Sequence, residues 1–530
     1  MESEAMSRNN RWIKKIPPRL IPPSLNDNTA DADRLLRGIR SDLKGEAVSA
    51  DFPLIKRLPS ILREYDFSVS AVVYQKDAGW HLMDVFGPAA PDIYGLALDL
   101  GSSTLVLRLL DLSTGKTRDE ISFDNPQIKI GSDILTRIHY AGQKEGLSEL
   151  QGMLVDRLNR KIEKLAQRHH IETRSITGMS VAGNTTMTHL FLGLDPYYLC
   201  REPYIPVVNR LDLLKAGDLG LSINPDAPVL IFPNVGSYFG GDLIAGILAS
   251  GMTRSEETAF LVDVGTNAEV VIGNQDWLMA CAGAAGPALE GGVADMGMMA
   301  GPGVIDRVII DPDTLEFSVG TIEGQAANTV EHPDGPVGIC GSGLIDLAAQ
   351  LFMTGMIDLR GKFVPEKCGD RLMDVDGIRH LMVVGPEDSG TGEALTLSQT
   401  DIDGLIRSKA AMYTILTTIS NTVGIPFRDI DRFYVAGTFG SYIDPRSAIT
   451  IGMIPDLPLK TYVSLGNTSL KGAGMALLDA RAKEEIFTLR DRITYLELNV
   501  NQEFMNLFSA AKFLPHTDRS LFPSVERQAE

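Results

Sequence analysis

The feature that most constrains the fold of this 530-residue chain is a motif that occurs twice: an apolar run followed by Asp-x-Gly-Ser or Asp-x-Gly-Thr. The first copy spans residues 96–104, and the second spans residues 260–267. A second apolar run follows each glycine, which predicts a β-hairpin closed by a tight glycine turn. Backbone N–H groups and hydroxyls in such a turn can hold a phosphate, and the aspartate can hold Mg²⁺ through water.

A second pair of matching stretches indicates an internal duplication. Each half has a buried strand that ends in Val-Ala-Gly, at residues 181–183 and 435–437. The interval between hairpin and strand is much longer in the second half, which is therefore expected to hold an insertion. The Gly-Lys-Thr at residues 115–117 lacks the upstream glycine of a P-loop, so the predicted phosphate site depends on the paired hairpins. Two such halves are expected to form a nucleotide-binding cleft.

Composition and charge exclude several classes of partner. The chain has 49 Lys and Arg against 68 Asp and Glu, and this net charge of −19 disfavours binding to nucleic acids and anionic membranes. No apolar run has the length of a membrane span, and no secretory signal follows the acidic N-terminus. A cytoplasmic protein is therefore expected. The four cysteines, at positions 200, 281, 340 and 368, are scattered, so neither a zinc site nor a cysteine-ligated cluster is expected in this chain.

The positions of prolines and the apolar periodicity divide the chain into five expected parts. These are an extended lead (1–30), a small α+β module (31–90), a first lobe (91–255), a second lobe (256–482) and a C-terminal extension (483–530). The lead is expected to lack regular elements because four prolines lie between residues 17 and 23. Long amphipathic helices are predicted at residues 146–170 and 400–421, where apolar side chains recur at helical spacing.

The motifs resemble those of a known superfamily of ATPases. Residues 99–104 and 263–267 resemble the two phosphate motifs of the actin, sugar-kinase and Hsp70 superfamily, and residues 436–440 resemble its adenosine motif. Further stretches are similar to a narrower group, the reductive activators of corrinoid proteins: 125–127, 181–187, 194–196, 285–291, 340–346 and 513–516. This resemblance spans about residues 30–525. It implies an α/β fold class, a duplicated ribonuclease-H-like fold of two lobes with a small N-terminal α+β module.

The resemblance also implies a function, the ATP-dependent reactivation of a corrinoid protein. Corrinoid methyltransferases work through Co(I), and the activator uses ATP to drive electron transfer to inactive Co(II) that forms by occasional oxidation. Family members usually carry an N-terminal [2Fe–2S] domain, but this sequence has no cysteine before Cys200. No iron–sulfur cluster is therefore expected in this chain, and a separate iron–sulfur protein is expected to supply the electron. The family also favours a homodimer.

The resemblance assigns roles to individual residues. Asp99 and Asp263 are predicted to hold Mg²⁺ through water. The phosphate- and adenosine-binding residues are predicted to be Gly101, Ser102, Ser103, Thr104, Gly265, Thr266, Asn267, Gly437, Thr438, Phe439 and Gly440. Three more residues have two interpretations each. Asn184 either approaches a binding partner (the γ-phosphate or the partner protein) or caps a helix, Asp133 either orients the attacking water or caps a helix, and Glu290 is either functional or structural.

Two other functions remain open at this point. One is a small-molecule kinase of the same superfamily, and the other is a non-catalytic ATP-binding chaperone or scaffold for a corrinoid protein. A kinase needs a carboxylate base in its substrate pocket, and the sequence singles out no such residue. The combination of motifs beyond the superfamily core favours the reactivating ATPase.

Overall fold

The computed structural model describes residues 10–89, 91–264, 267–284, 294–322, 335–437, 443–498 and 502–525. A small α+β module comes first in the chain. Its elements are β1 (Ile13–Ile16), α1 (Asp31–Asp42), β2 (Val48–Ala50), α2 (Phe52–Glu64), β3 (Ser70–Lys76) and β4 (Gly79–Phe86). The strands pair in the order β1-β3-β4-β2. Apolar side chains of the helices, such as Leu35 and Leu58, pack with strand residues such as Val73 in one core.

The position of β1 corrects one expectation from the sequence. Residues 13–16 pair antiparallel with β3, so the prediction that residues 1–30 lack regular elements is wrong for this strand. Ile13 and Ile16 are buried, and their packing outweighs the local effect of the prolines. Those prolines follow the strand, where the missing N–H groups disrupt no sheet hydrogen bond.

The first six-stranded sheet follows the module. Its elements, with the helices between them, are β5 (Tyr94–Leu100), β6 (Thr104–Asp111), β7 (Thr117–Asp124), α3 (Ile134–Ala141), α4 (Gly146–Arg168), β8 (Ile176–Gly183), α5 (Thr185–Leu192), β9 (Leu214–Lys215), β10 (Pro228–Ile231) and α6 (Gly241–Ser250). The strand order is β7-β6-β5-β8-β10-β9. Every residue of β8 is buried, as expected of a strand that pairs with a neighbour on each side within the sheet.

The second half of the chain contains a second six-stranded sheet and additional elements. They are β11 (Ala259–Val264), β12 (Asn267–Gly273), β13 (Leu278–Ala284), β14 (Val304–Ile310), β15 (Phe317–Thr321), β16 (Gly338–Ile339), α7 (Gly341–Met353), α8 (Pro365–Cys368), β17 (Leu372–Val375), β18 (Ile378–Val384), β19 (Leu395–Ser398), α9 (Gln399–Val423), β20 (Arg432–Ala436), α10 (Pro445–Thr450), β21 (Tyr462–Gly466), α11 (Thr468–Leu478), α12 (Ala480–Arg492), β22 (Ile493–Tyr495) and α13 (Gln502–Ala511). The sheet order is β21-β20-β11-β12-β13-β22.

Strand order and direction confirm the predicted duplication. In the first sheet, β5, β6 and β7 form an antiparallel meander, and β8 and β10 continue the sheet in parallel to β5. In the second sheet, β11, β12 and β13 form the same meander, and β20 and β21 continue it in the same way. The predicted insertion corresponds to two three-stranded sheets, β15-β14-β16 and β17-β18-β19, together with α7. The duplicated α/β fold class is thus confirmed.

The chain divides into two compact units, and the first unit is discontinuous. It comprises Met1–Ala249 and Thr468–Asp491, and the second comprises Ser250–Asn467 and Arg492–Glu530. The sequence interpretation had instead placed residues 256–482 in one continuous second lobe. The difference arises because α11 packs on the first sheet, where the Ser180 hydroxyl donates to the Ala473 carbonyl at 2.6 Å. No helix within the described ranges is both long and apolar enough to span a bilayer.

Candidate functional site

The first predicted phosphate turn lies between β5 and β6. A Cβ atom on Gly101 would lie 2.3 Å from the Thr104 carbonyl oxygen, so this tight turn accepts only glycine. Asn125 holds the turn from the side, because its Nδ2 donates to the Gly101 carbonyl (3.0 Å) and its backbone N–H donates to the Ser103 carbonyl (2.8 Å). Asn125 is buried, so it fixes the shape of the turn rather than contacting solvent.

The end of β8 lies beside this turn. Leu100 of β5 pairs with Gly183 of β8, and α5 begins two residues later. The Asn184 side chain caps that helix, since its Oδ1 accepts from the Met187 N–H at 2.9 Å. The structure therefore provides the capping contact that was one of the two interpretations of Asn184. The contact with a γ-phosphate remains a prediction.

Asp242 joins Asp99 at the same edge of the first sheet. Burial, together with the negative charge of Asp99, raises the pKa of Asp242 to about 6. A Cβ atom on Gly240 would lie 2.5 Å from the Asn184 Cα and 2.6 Å from Asp242 Oδ1, so a glycine keeps this concave region open. Two carboxylates near each other beside a glycine turn form a suitable group for a cation with oxygen ligands.

Sequence reasoning missed Asp242 as a site residue. The signal was a Gly-Gly-Asp that follows a buried strand and begins α6. It was interpreted only as the start of a helix, because Asp is an ordinary first-turn residue and nothing local links it to Asp99. The two residues come together since β10 and β5 flank β8 in the sheet.

Asp133 occupies a helix cap. Its Oδ1 accepts from the Thr136 N–H (2.9 Å), and its Oδ2 accepts from the Thr136 hydroxyl (2.6 Å). These hydrogen bonds to Thr136 hold the pKa of Asp133 below its ordinary value. The side chain is exposed at the start of α3. The contacts match the capping interpretation, and a role in orienting water remains a prediction.

The second unit brings part of the second predicted site together. Asp263 in β11 pairs with Ala436 at the end of β20, and Gly437 follows directly. Asn267 begins β12. Several predicted residues lie outside the described residues, namely Gly265, Thr266, Glu290, Thr438, Phe439 and Gly440. The described part thus places the second aspartate next to the start of the predicted adenosine motif.

A polar cleft of about 800 Å³ lies in the second unit. Its walls come from β14, α7 and α10, and they include Arg307, Gln350 and Arg446. Asp346 joins the walls, because its Oδ1 accepts from the Ser447 hydroxyl (2.6 Å) and its Oδ2 accepts from the Val308 N–H (2.7 Å). The volume and the mixture of donors and acceptors suit a ligand of nucleoside size.

The cysteines do not form a cluster site. Three of them are buried, and burial raises the pKa of the Cys281 thiol to about 12 and that of Cys368 to about 11. Iron–sulfur clusters need several converging thiolates. Across the described ranges, no group of three or more His, Cys, Asp and Glu side chains could hold a metal ion. These thiols therefore do not fit an iron–sulfur cluster.

Family models match nearly the whole chain in three consecutive parts. Residues 7–89 match the RACo linker region, residues 94–255 match the RACo middle region, and residues 257–526 match the C-terminal domain of RACo, the ASKHA domain. The third match alone covers half of the chain.

Individual relatives agree with these matches. The corrinoid activation enzyme RamQ of Eubacterium limosum is 33% identical over 430 residues, which cover 78% of this chain and 69% of that protein. The [Co(II) methylated amine-specific corrinoid protein] reductase of Methanosarcina barkeri is 23% identical over 441 residues, covering 78% of this chain and 76% of that protein. A solved reductive activator for corrinoid, iron–sulfur protein superimposes with a TM-score of 0.88 at 37% identity, covering 97% of this chain and 81% of that one. With this fold and these matches, the chain belongs to the RACo family of reductive activators of corrinoid proteins.

Proposed function

We propose that this chain binds and hydrolyses ATP to support the reductive reactivation of a corrinoid protein from Co(II) to Co(I). The observation that carries the proposal is the similarity over 97% of the chain to a solved reductive activator for corrinoid, iron–sulfur protein. The relatives from Eubacterium limosum and Methanosarcina barkeri, which are named a corrinoid activation enzyme and a corrinoid protein reductase, support it. The partner is accordingly a corrinoid protein, and we expect this chain to act as a cytoplasmic homodimer.

The first unit would hold the phosphates of ATP. Gly101, Ser102, Ser103 and Thr104 form a turn too tight for a side chain at its first position, and its backbone N–H groups are the proposed donors to the phosphates. Asn184 begins α5 beside this turn and is proposed to approach the γ-phosphate. In the second unit, Gly265, Thr266 and Asn267 are the proposed equivalents.

Asp99 and Asp242 fit a Mg²⁺ ion. Burial is the main cause of the raised pKa of Asp242, and the negative charge of Asp99 adds to it; a divalent cation would stabilise both carboxylates in their charged form. Asp263 is the proposed contribution of the second unit. Mg²⁺ would neutralise charge on the phosphates, while Asp99 and Asp242 would fix its position through water.

The nucleoside part of ATP would lie in the polar cleft of the second unit. Gly437, Thr438, Phe439 and Gly440 form the proposed adenosine motif, and the cleft begins a few residues later in the chain. Arg446 and Gln350 offer donors, and Asp346 offers carboxylate oxygens that Ser447 and Val308 already orient. These groups can bind the polar edges of a base and a ribose.

ATP would act on the corrinoid protein as a switch. Binding and hydrolysis can shift the partner's redox equilibrium only if this chain contacts the partner differently in its two nucleotide states. We assign no electron-carrying step to this chain, because its buried thiols do not fit a cluster. A separate iron–sulfur protein is therefore the proposed electron donor.

The test follows the absorbance of a purified Co(II) corrinoid protein. Reductant, a ferredoxin, this chain and Mg-ATP are added in turn, and Co(I) is expected only when all are present. Asp99→Asn and Asp242→Asn should abolish the ATP-dependent change, while the exposed Asp156→Asn on α4 serves as the matched control and should retain it. Equal Co(I) formation without ATP would refute the proposal. Phosphorylation of a metabolite without any corrinoid change would favour the kinase.

A further inference from the structure

Arg137 is a fully buried guanidinium in α3 that has incomplete hydrogen bonding. Its Nε donates to the Gly131 carbonyl at 2.8 Å, and its Nη1 lies 3.4 Å from the Met187 sulfur. Its Nη2 has no hydrogen-bond partner among the described residues. Asp133 is the acidic group that acts on Arg137 electrostatically, but that carboxylate is exposed and already bonded to Thr136.

A buried charge without a counter-ion lowers the stability of the folded state. Burial lowers the pKa of Arg137, yet a guanidinium stays protonated in proteins, so the positive charge remains inside the first unit. Desolvated charges without a counter-ion destabilise the folded state, and a neutral apolar side chain of similar volume would avoid that cost. The environment of Arg137 therefore points to an anion that is supplied from outside the chain.

Two short connections join Arg137 to the proposed phosphate site. The Met187 sulfur that Nη1 contacts also lies 3.7 Å from Nδ2 of Asn125, which donates to the Gly101 carbonyl at 3.0 Å. The Met187 N–H donates to the Asn184 cap at 2.9 Å. Arg137 thus lies behind both the glycine turn and the start of α5. Arg137, Asn125 and Met187 are all essentially inaccessible to solvent.

We propose that Arg137 is a positioning residue for the phosphates of ATP. Its buried charge attracts the phosphates electrostatically, and its contact with Met187 holds Asn125 and the glycine turn in the binding geometry. A low-dielectric environment strengthens this attraction, because few water molecules screen it. This inference rests on the proposed ATP-binding function and adds to it a residue outside every phosphate motif.

An internal water is the structural alternative. A buried water bound to Nη2 of Arg137 would satisfy this group without any ligand. In that case Arg137 would contribute to stability alone. The two explanations differ in whether the loss of the charge affects the binding of phosphates.

The experiment compares Arg137→Met and Arg137→Lys with the exposed Arg160→Met on α4, which removes one positive charge from the same unit. Calorimetry measures the dissociation constants of Mg-ATP and adenosine, and urea unfolding measures stability. Arg137→Met should weaken ATP binding at least about tenfold, as expected for a lost interaction with a charged group. Adenosine binding should stay within about twofold, and Arg137→Lys should retain more ATP affinity than Arg137→Met.

The outcomes distinguish a failure of the inference about Arg137 from a failure of the proposed ATP-binding function. If the unmodified chain does not bind ATP, the proposed function fails. If it binds ATP and a folded Arg137→Met binds ATP equally well, or loses ATP and adenosine affinity alike, only the inference about Arg137 is overturned. Should Arg137→Met fail to fold, Met187→Leu keeps the volume but removes the sulfur contact. It should then show the same selective loss for ATP to a smaller degree, and an unchanged ATP affinity would overturn the inference.

Discussion

The Asp84 carboxylate in β4 is only 2% exposed, and it accepts several hydrogen bonds. It accepts from Nε and Nη2 of Arg174, both at 2.9 Å, and from Nδ2 of Asn224 at 2.8 Å. Arg57 lies 3.6 Å away. Since Arg174 and Asn224 belong to the first sheet region and β4 to the N-terminal module, this single residue connects two parts of the first unit.

Replacing Asp84 by alanine should lower the free energy of unfolding by about 2–4 kcal/mol, because the Asn224 amide loses its acceptor and Arg174 loses its counter-charge. Urea unfolding measures the change. The control is Glu120→Ala, which removes the exposed partner of Arg108 and should cost at most about 1 kcal/mol. Equal losses in the two variants would show that the buried Asp84 carboxylate contributes no more to stability than an exposed one.

Asp133 offers a test of capping against catalysis. Asp133→Asn keeps an N-cap side chain and should preserve both stability and ATP hydrolysis, whereas Asp133→Ala should cost about 1 kcal/mol. Because hydrogen bonds depress the pKa of Asp133, its stabilising contribution is present above about pH 4 and is lost as the pH falls through the lowered pKa. Loss of hydrolysis in a stable Asp133→Asn protein would instead support the role in orienting water.

At the scale of elements, α9 illustrates how well local signals define a helix. The sequence predicted residues 400–421, and the helix spans Gln399–Val423. Ser398 and Asp401 form a capping box at its start, and Gly424 adopts a positive φ of 72° at its end. Because such signals involve residues close in sequence, the ends of a helix can be predicted from them.

The other contacts of α9 depend on residues far along the chain. Lys409 is fully buried in this helix, and its Nζ donates to the carbonyls of Phe513 (2.5 Å) and Pro515 (2.7 Å). Burial lowers the pKa of Lys409 well below its ordinary value. A lysine in a helix that also carries other charged residues gives no sign in the sequence that it binds the C-terminal segment.

Lys409→Met should loosen that segment, because two buried carbonyls lose their donor. We expect a loss of about 1–3 kcal/mol in stability and faster hydrogen exchange concentrated in residues 502–525. The exposed Arg407→Met in the same helix is the matched control and should change neither. Uniformly faster hydrogen exchange over the whole second unit would contradict the prediction that Lys409 stabilises the C-terminal segment in particular.

At the scale of the whole molecule, the first unit includes a segment that lies in sequence between the two parts of the second unit. Helix α11 lies against the first sheet, and a Cβ atom on Gly472 would lie 2.3 Å from the Ala245 carbonyl oxygen of α6. Gly474 in the same helix has more space, since the nearest atom would be 3.6 Å from an added Cβ. Alanine substitutions at the two glycines can therefore be compared to test this close approach.

Gly472→Ala should lower stability by about 1–3 kcal/mol through the clash with α6, while Gly474→Ala should be neutral or stabilising because alanine favours helix. Hydrogen exchange should show the loss of protection in residues 94–249 for Gly472→Ala. If both variants behave alike, the close approach of α6 and α11 does not limit the first unit.

The duplicated order of strands, the hairpins and most helices could be read from the sequence, because they follow from apolar periodicity, glycine turns and caps that involve neighbouring residues. The grouping of Asp99 with Asp242, the burial of Arg137 behind Gly101 and the return of α11 to the first unit could not. These arise when strands distant in sequence lie side by side and bring residues together that share no local pattern. Local chemistry thus specified the elements and the two candidate turns, whereas packing specified which charged groups surround them.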